Sequence, residues 1–74
     1  MSPEQCRAAR GLLSMSQTEL AKASRVSLRT IQSFESCQRQ PTEANVGTLR
    51  RTLETAGVEF IPANGGGPGV RLRS

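Results

Sequence analysis

The sequence predicts an all-α domain of four helices closed by a short carboxy-terminal β-hairpin. Three observations predict it. Apolar residues recur at helical spacing through four stretches between residues 3 and 56. A Ser or Thr (Ser2, Ser16, Ser27, Thr42) stands just before each stretch, where its hydroxyl can accept an orphan helix N–H. After Gly57 the pattern changes to two short alternating runs, VEFI and VRLR, around a Pro/Gly-rich stretch.

Helix one is expected over Pro3–Leu13. Pro3 suits the first turn, and Cys6, Ala9, Leu12 and Leu13 form the apolar stripe, with Arg7 and Arg10 beside it. Ser14-Met15-Ser16 connects it to helix two, and Met15 is expected to plug the core. Helices two and three lie within Gln17–Glu35. Ser16 and Glu19 have the spacing of a capping box. Leu20, Ala21 and Ser24 share one face, and the chain breaks near Ser24-Arg25-Val26. In helix three, Ile31, Phe34 and Glu35 fall inward, while Leu28, Arg29, Gln32 and Ser33 fall outward. A short helix with an arginine and amides on its outer face suits a DNA major groove.

The polar loop Ser36–Pro41 precedes helix four, expected over Glu43–Ala56. Val46, Leu49, Leu53 and Ala56 line its buried face, Arg50 and Arg51 point away, and Gly57 ends it. Val58–Ile61 and Val70–Arg73 read as strands around the turn Pro62–Gly69. The GGGPG stretch lacks the Lys-Ser/Thr ending of a phosphate-binding loop. A lone two-stranded hairpin is marginal in water, so this one must pack on the helices or pair with another chain. The chain thus divides into residues 1–57, a DNA-binding unit, and residues 58–74, a tail. Val58, Phe60, Ile61, Val70 and Leu72 are its expected contacts, either across a homodimer or on the sheet edge of a protein partner.

The chain has 74 residues, the size of one domain, and burial of only about 60% of the unfolded surface makes its stability modest. The net charge is +4, and apart from Lys22 every basic side chain is arginine, the residue suited to bidentate contact with phosphate and guanine. Without His or Asp, and with only Cys6 and Cys37 as thiols, no metal centre or cofactor site is expected. No nucleophile stands beside a plausible base, so an enzyme is not expected. Cys6 reads as a small core residue and Cys37 as a loop position. No signal peptide or membrane span is legible, which gives a cytoplasmic expectation.

In the frame LSMSQTELAKASRVSLRTIQSFESCQRQP, the chain resembles the lambda-repressor-like (Cro/repressor, XRE-type) helix-turn-helix family over roughly Gln5–Ala56. Gln17 matches the family glutamine opening helix two. Ala21 matches the small residue where the helices cross, and Val26 and Ile31 the positions that lock helix three. Arg10 and Glu35 match an ion-paired couple. Two departures are Arg25 and Cys37, which stand where the family usually has glycine.

The resemblance implies a sequence-specific transcriptional regulator. It would bind a palindromic operator in double-stranded DNA as a homodimer, with half-sites about 34 Å apart. Arg29 can read guanine or hold a phosphate, Leu28 can touch a thymine methyl, and Gln32 can read adenine; Ser33 can meet a base or a phosphate. Ser16, Gln17, Arg25, Thr30, Gln38 and Arg39 are the expected backbone contacts. The alternatives are an antitoxin-like regulator whose tail binds a second protein, and a non-specific DNA-binding protein.

Overall fold

Residues 1–62 and 65–73 are described by a computed structural model. It contains α1 (Pro3–Leu13), α2 (Gln17–Ser24), α3 (Leu28–Glu35), α4 (Glu43–Ala56), β1 (Val58–Ile61) and β2 (Gly69–Leu72). Side-chain oxygens set every helix start. Ser2 and Ser16 each take part in a reciprocal capping box, with Gln5 and Glu19 three residues on. Ser27 and Thr42 accept from the N–H groups of Thr30 and Asn45.

Two helices end in left-handed backbone without glycine. Ser14 terminates α1 at φ 53°, and Arg25 terminates α2 at φ 62°. Arg25 donates its N–H to Ala21 O at 2.9 Å. The turn after it is closed by Ser24, whose buried hydroxyl donates to Leu20 O (2.6 Å) and accepts from Val26 N–H (3.2 Å). Val26 is thereby turned into the core between α2 and α3.

One core joins all six elements. It comprises Cys6, Ala9, Leu20, Val26, Ile31, Phe34, Leu49, Leu53, Val58 and Phe60, with Met15, Leu13, Ala21, Val46 and Val70 packed against it. Each fully buried Leu, Ile or Phe contributes roughly 1.5–3 kcal/mol. Two expected core positions lie outside. Leu12 is 42% exposed, because the α1 stripe runs through Cys6, Ala9 and Leu13 and Leu12 falls on its flank. Ala56 is exposed at the last position of α4, beyond the reach of the core.

The hairpin is antiparallel, with Val58 opposite Leu72, Glu59 opposite Arg71, Phe60 opposite Val70 and Ile61 opposite Gly69. The second strand therefore starts at Gly69 rather than Val70 and ends at Leu72 rather than Arg73. The expected Pro62–Gly69 turn includes residues 63 and 64, which lie outside the described residues. The hairpin packs on the helices of its own chain, β2 along α1 and β1 along α4. Gln5 fixes its closed end: its buried amide donates to Gly69 O at 3.0 Å and to Ile61 O at 3.4 Å. On the outer face Arg71 Nε meets Glu59 Oε1 at 2.6 Å. Arg50 lies over the Phe60 ring, 5.4 Å from its centroid.

Candidate nucleic-acid interface

The eight-residue α3 divides into two faces. Ile31, Phe34 and Glu35 are buried, Arg29 and Gln32 are exposed, and Leu28, Thr30 and Ser33 are half-buried along the margins. The outward face is thus a guanidinium and an amide, flanked by a leucine on one side and hydroxyls on the other. Those groups can pair with guanine and adenine edges and contact a thymine methyl. Thr30 is less free than the sequence suggests, since its Oγ1 accepts from the Ser27 hydroxyl at 2.7 Å.

Beside α3 lies a groove of about 530 Å³, lined by Ser27, Arg29, Thr30 and Ser33 on one wall. Gln38, Arg39, Gln40, Pro41, Thr42 and Asn45 form the rest of it. The two arginines bring the outer face of α3 and the following loop into one positively charged strip. The sequence marks Gln40 as assisting Arg39 and Thr42 only as a helix cap; Asn45 is not singled out by it. The polar character of the Gln38–Thr42 run was the available signal. The loop keeps this course because Gln38 N–H donates to Ser33 O at 2.9 Å, with Cys37 at φ 62° making the bend.

Behind α3, a single carboxylate ties three helices together. Glu35, 3% exposed, accepts Arg10 Nη2 on Oε1 at 2.5 Å and Arg10 Nε on Oε2 at 2.7 Å. Gln17 Nε2 donates to Oε1 at 3.0 Å, and the Cys6 thiol to Oε2 at 3.1 Å. Arg7 donates to the Glu35 carbonyl, and Arg10 Nη1 reaches Met15 O at 3.1 Å. Burial alone would raise the Glu35 pKa. The hydrogen bonds from Arg10, Gln17 and Cys6, with the Arg10 charge, override burial and hold the carboxyl below its ordinary value. Arg10 is in turn pushed up, chiefly by its hydrogen bond to Glu35. Burial first, then contact with Glu35, pushes the Cys6 thiol up to about 12. Cys6 is thus a hydrogen-bond donor as well as a core residue.

Gln17 stands at the start of α2 with one amide N–H committed to Glu35. Ser16 is exposed, but its Oγ and N–H are engaged with Glu19 in the capping box. Arg25, Gln38 and Arg39 are exposed. For two tail positions the structure corrects the sequence reading: Val58 and Phe60 are core residues of their own chain, not surface contacts. Ile61 and Val70 are half-buried, and Leu72 is 51% exposed. Among the described residues no group of side chains is suited to a metal ion, and no helix is long and apolar enough to cross a membrane.

A profile of the helix-turn-helix family matches residues 7–60, through all of α2, α3 and α4 and into β1. No individual curated protein matches the chain. With most of its length inside that match and the helix pair in the expected frame, the chain belongs to the XRE-type, lambda-repressor-like helix-turn-helix family, a family of DNA-binding regulators.

Proposed function

We propose that the chain is a sequence-specific transcriptional regulator that binds a short palindromic operator as a homodimer, α3 of each protomer entering one major groove. The observation that carries this reading is the division of α3. Its inner face is locked by Ile31, Phe34 and the Glu35 cluster, while Arg29 and Gln32 stand free on the outside. A rigid helix that offers a guanidinium and an amide can discriminate base edges, because misplacing either donor forfeits a bidentate pair.

On this reading Arg29 reads a guanine, Gln32 an adenine and Leu28 a thymine methyl. Arg39, Gln38 and the start of α2 at Gln17 hold the phosphates on either side. Operator occupancy would act by excluding or recruiting polymerase. Two-fold pairing is assigned to the hairpin, whose strands each have one edge without a strand partner among the described residues and whose Leu72 is exposed.

Selection of binding sites from a random duplex library at physiological salt tests the proposal. An enriched inverted repeat is the expected result. Arg29→Ala should then relax preference at one position per half-site, costing about 1–3 kcal/mol. Binding without enrichment that falls steeply with salt would favour non-specific coating instead. Deleting residues 58–74 is a poor test of dimerisation, since Val58 and Phe60 belong to the core. Leu72→Glu is the cleaner variant: a monomer with weaker operator binding is expected, and an unchanged dimer would reject the hairpin as the interface.

A further inference from the structure

An ionised carboxylate offers about four lone-pair directions to donors. At Glu35 all are taken: Oε1 by Arg10 Nη2 and Gln17 Nε2, Oε2 by Arg10 Nε and the Cys6 thiol. Cys6 is fully buried and Glu35 nearly so, so water cannot replace the thiol. The Gln17 amide carries two N–H groups, and only one is used by Glu35. The second remains at the start of α2, where the leading backbone N–H groups have no acceptor within the helix.

We infer that Cys6 is a positioning residue for DNA binding: its thiol fixes the Glu35 carboxylate, which in turn aims the Gln17 amide at the DNA backbone. The inference rests on the DNA-binding reading and on the phosphate role of Gln17. The relay runs from the core outward. Without the thiol, Oε2 keeps only Arg10 Nε. The buried carboxylate is then free to rotate toward better solvation, and Oε1, which holds Gln17, turns with it. A thiol suits the task because burial beside Glu35 keeps it protonated, a steady donor through neutral pH. Valine has no donor and is one heavy atom larger than cysteine; serine keeps the donor.

The test compares wild type, Cys6→Val, Cys6→Ser, Gln17→Ala and the double variant Cys6→Val/Gln17→Ala on the selected operator. Folding of each is checked by circular dichroism at the assay temperature. Cys6→Val is expected to bind about tenfold more weakly, the equivalent of one unmet buried acceptor. Cys6→Ser should recover most of that loss. In the Gln17→Ala background, Cys6→Val should cost little more, since both act on one contact. Additive losses, or a Cys6→Val protein that binds like wild type, overturn the inference. If Cys6→Val does not fold, the side-chain amide resonances of Gln17 in Cys6→Ser decide. Resonances and operator affinity close to wild type support the relay, and a displaced Gln17 with unchanged affinity rejects it. A wild-type chain that prefers no operator rejects the specific-regulator reading itself, which distinguishes that failure from a failure of Cys6.

Discussion

Arg10 meets Glu35 with two parallel hydrogen bonds, Nε to Oε2 at 2.7 Å and Nη2 to Oε1 at 2.5 Å, and so joins α1 to the last residue of α3. Desolvation offsets much of the attraction in such a pair, yet removing one partner strands the other charge. Glu35→Ala should therefore cost about 3–5 kcal/mol, enough to unfold much of a domain this small. The apolar double variant Arg10→Met/Glu35→Leu should cost clearly less than either single change. Thermal melts followed by circular dichroism decide, and an unchanged melting temperature for Glu35→Ala would remove the pair from the account of stability.

The same carboxylate sets an acid limit. Burial works against its ionisation, but its donors prevail and the folded pKa lies below the ordinary 4.5. Between those values the unfolded chain binds a proton that the folded chain does not. The Glu35 contribution is thus complete above about pH 4.5 and is lost as pH falls through the folded value. Cys6 sets an alkaline limit: its thiol ionises near 9.0 when unfolded and near 12 when folded, so stability declines as pH rises across that interval. Urea melts from pH 3 to pH 11 should show both slopes (an approximate range set by these pKa values), and Cys6→Ser should flatten the alkaline one.

Left-handed backbone at Arg25 and Cys37, both at φ 62°, is disfavoured for residues with a Cβ. Arg25→Gly and Cys37→Gly should each stabilise the domain by about 1 kcal/mol. In a domain of this size that is a rise of roughly 4–8 °C in melting temperature, read by calorimetry. Arg25→Gly should also weaken DNA binding if this exposed arginine touches a phosphate, which separates its backbone role from its side-chain role.

The two thiols should differ sharply in reactivity. Cys37 is exposed and Cys6 is buried with a raised pKa. Under native conditions near neutral pH, iodoacetamide should label Cys37 and spare Cys6; in denaturant it should label both. Rapid native labelling of Cys6, located by mass spectrometry, would contradict its place in the core.

The helix boundaries were legible because each start is written locally, as Ser2, Ser16, Ser27 and Thr42 followed by a residue that completes the cap. Periodicity also marked Ile31, Phe34, Leu49 and Leu53 as inward. It erred at Leu12 and Ala56 because a repeat reveals which face is apolar, but not where the opposing surface stops. The strand start at Gly69 is set by its partner Ile61, information absent from the VRLR run itself. The outer face of α3 could be read from spacing, whereas Arg10 and Glu35 were recognised through the family resemblance. The contacts of Glu35 with Cys6, Gln17 and Arg7 had no sequence signal, since each joins residues far apart in the chain.

Gln5 belongs to the first turn of α1, yet its amide is completed by the carbonyls of Ile61 and Gly69, 56 and 64 residues away. During folding, then, a residue at the start of α1 waits for a strand pair formed far along the chain. The helix pair can form from nearby contacts, but the helical unit cannot reach full cooperativity until the hairpin closes over α1. A chain cut before β1 would carry α3 on a support that lacks this latch. The stability of the helical unit thereby depends, through one glutamine, on a hairpin 56 to 64 residues away.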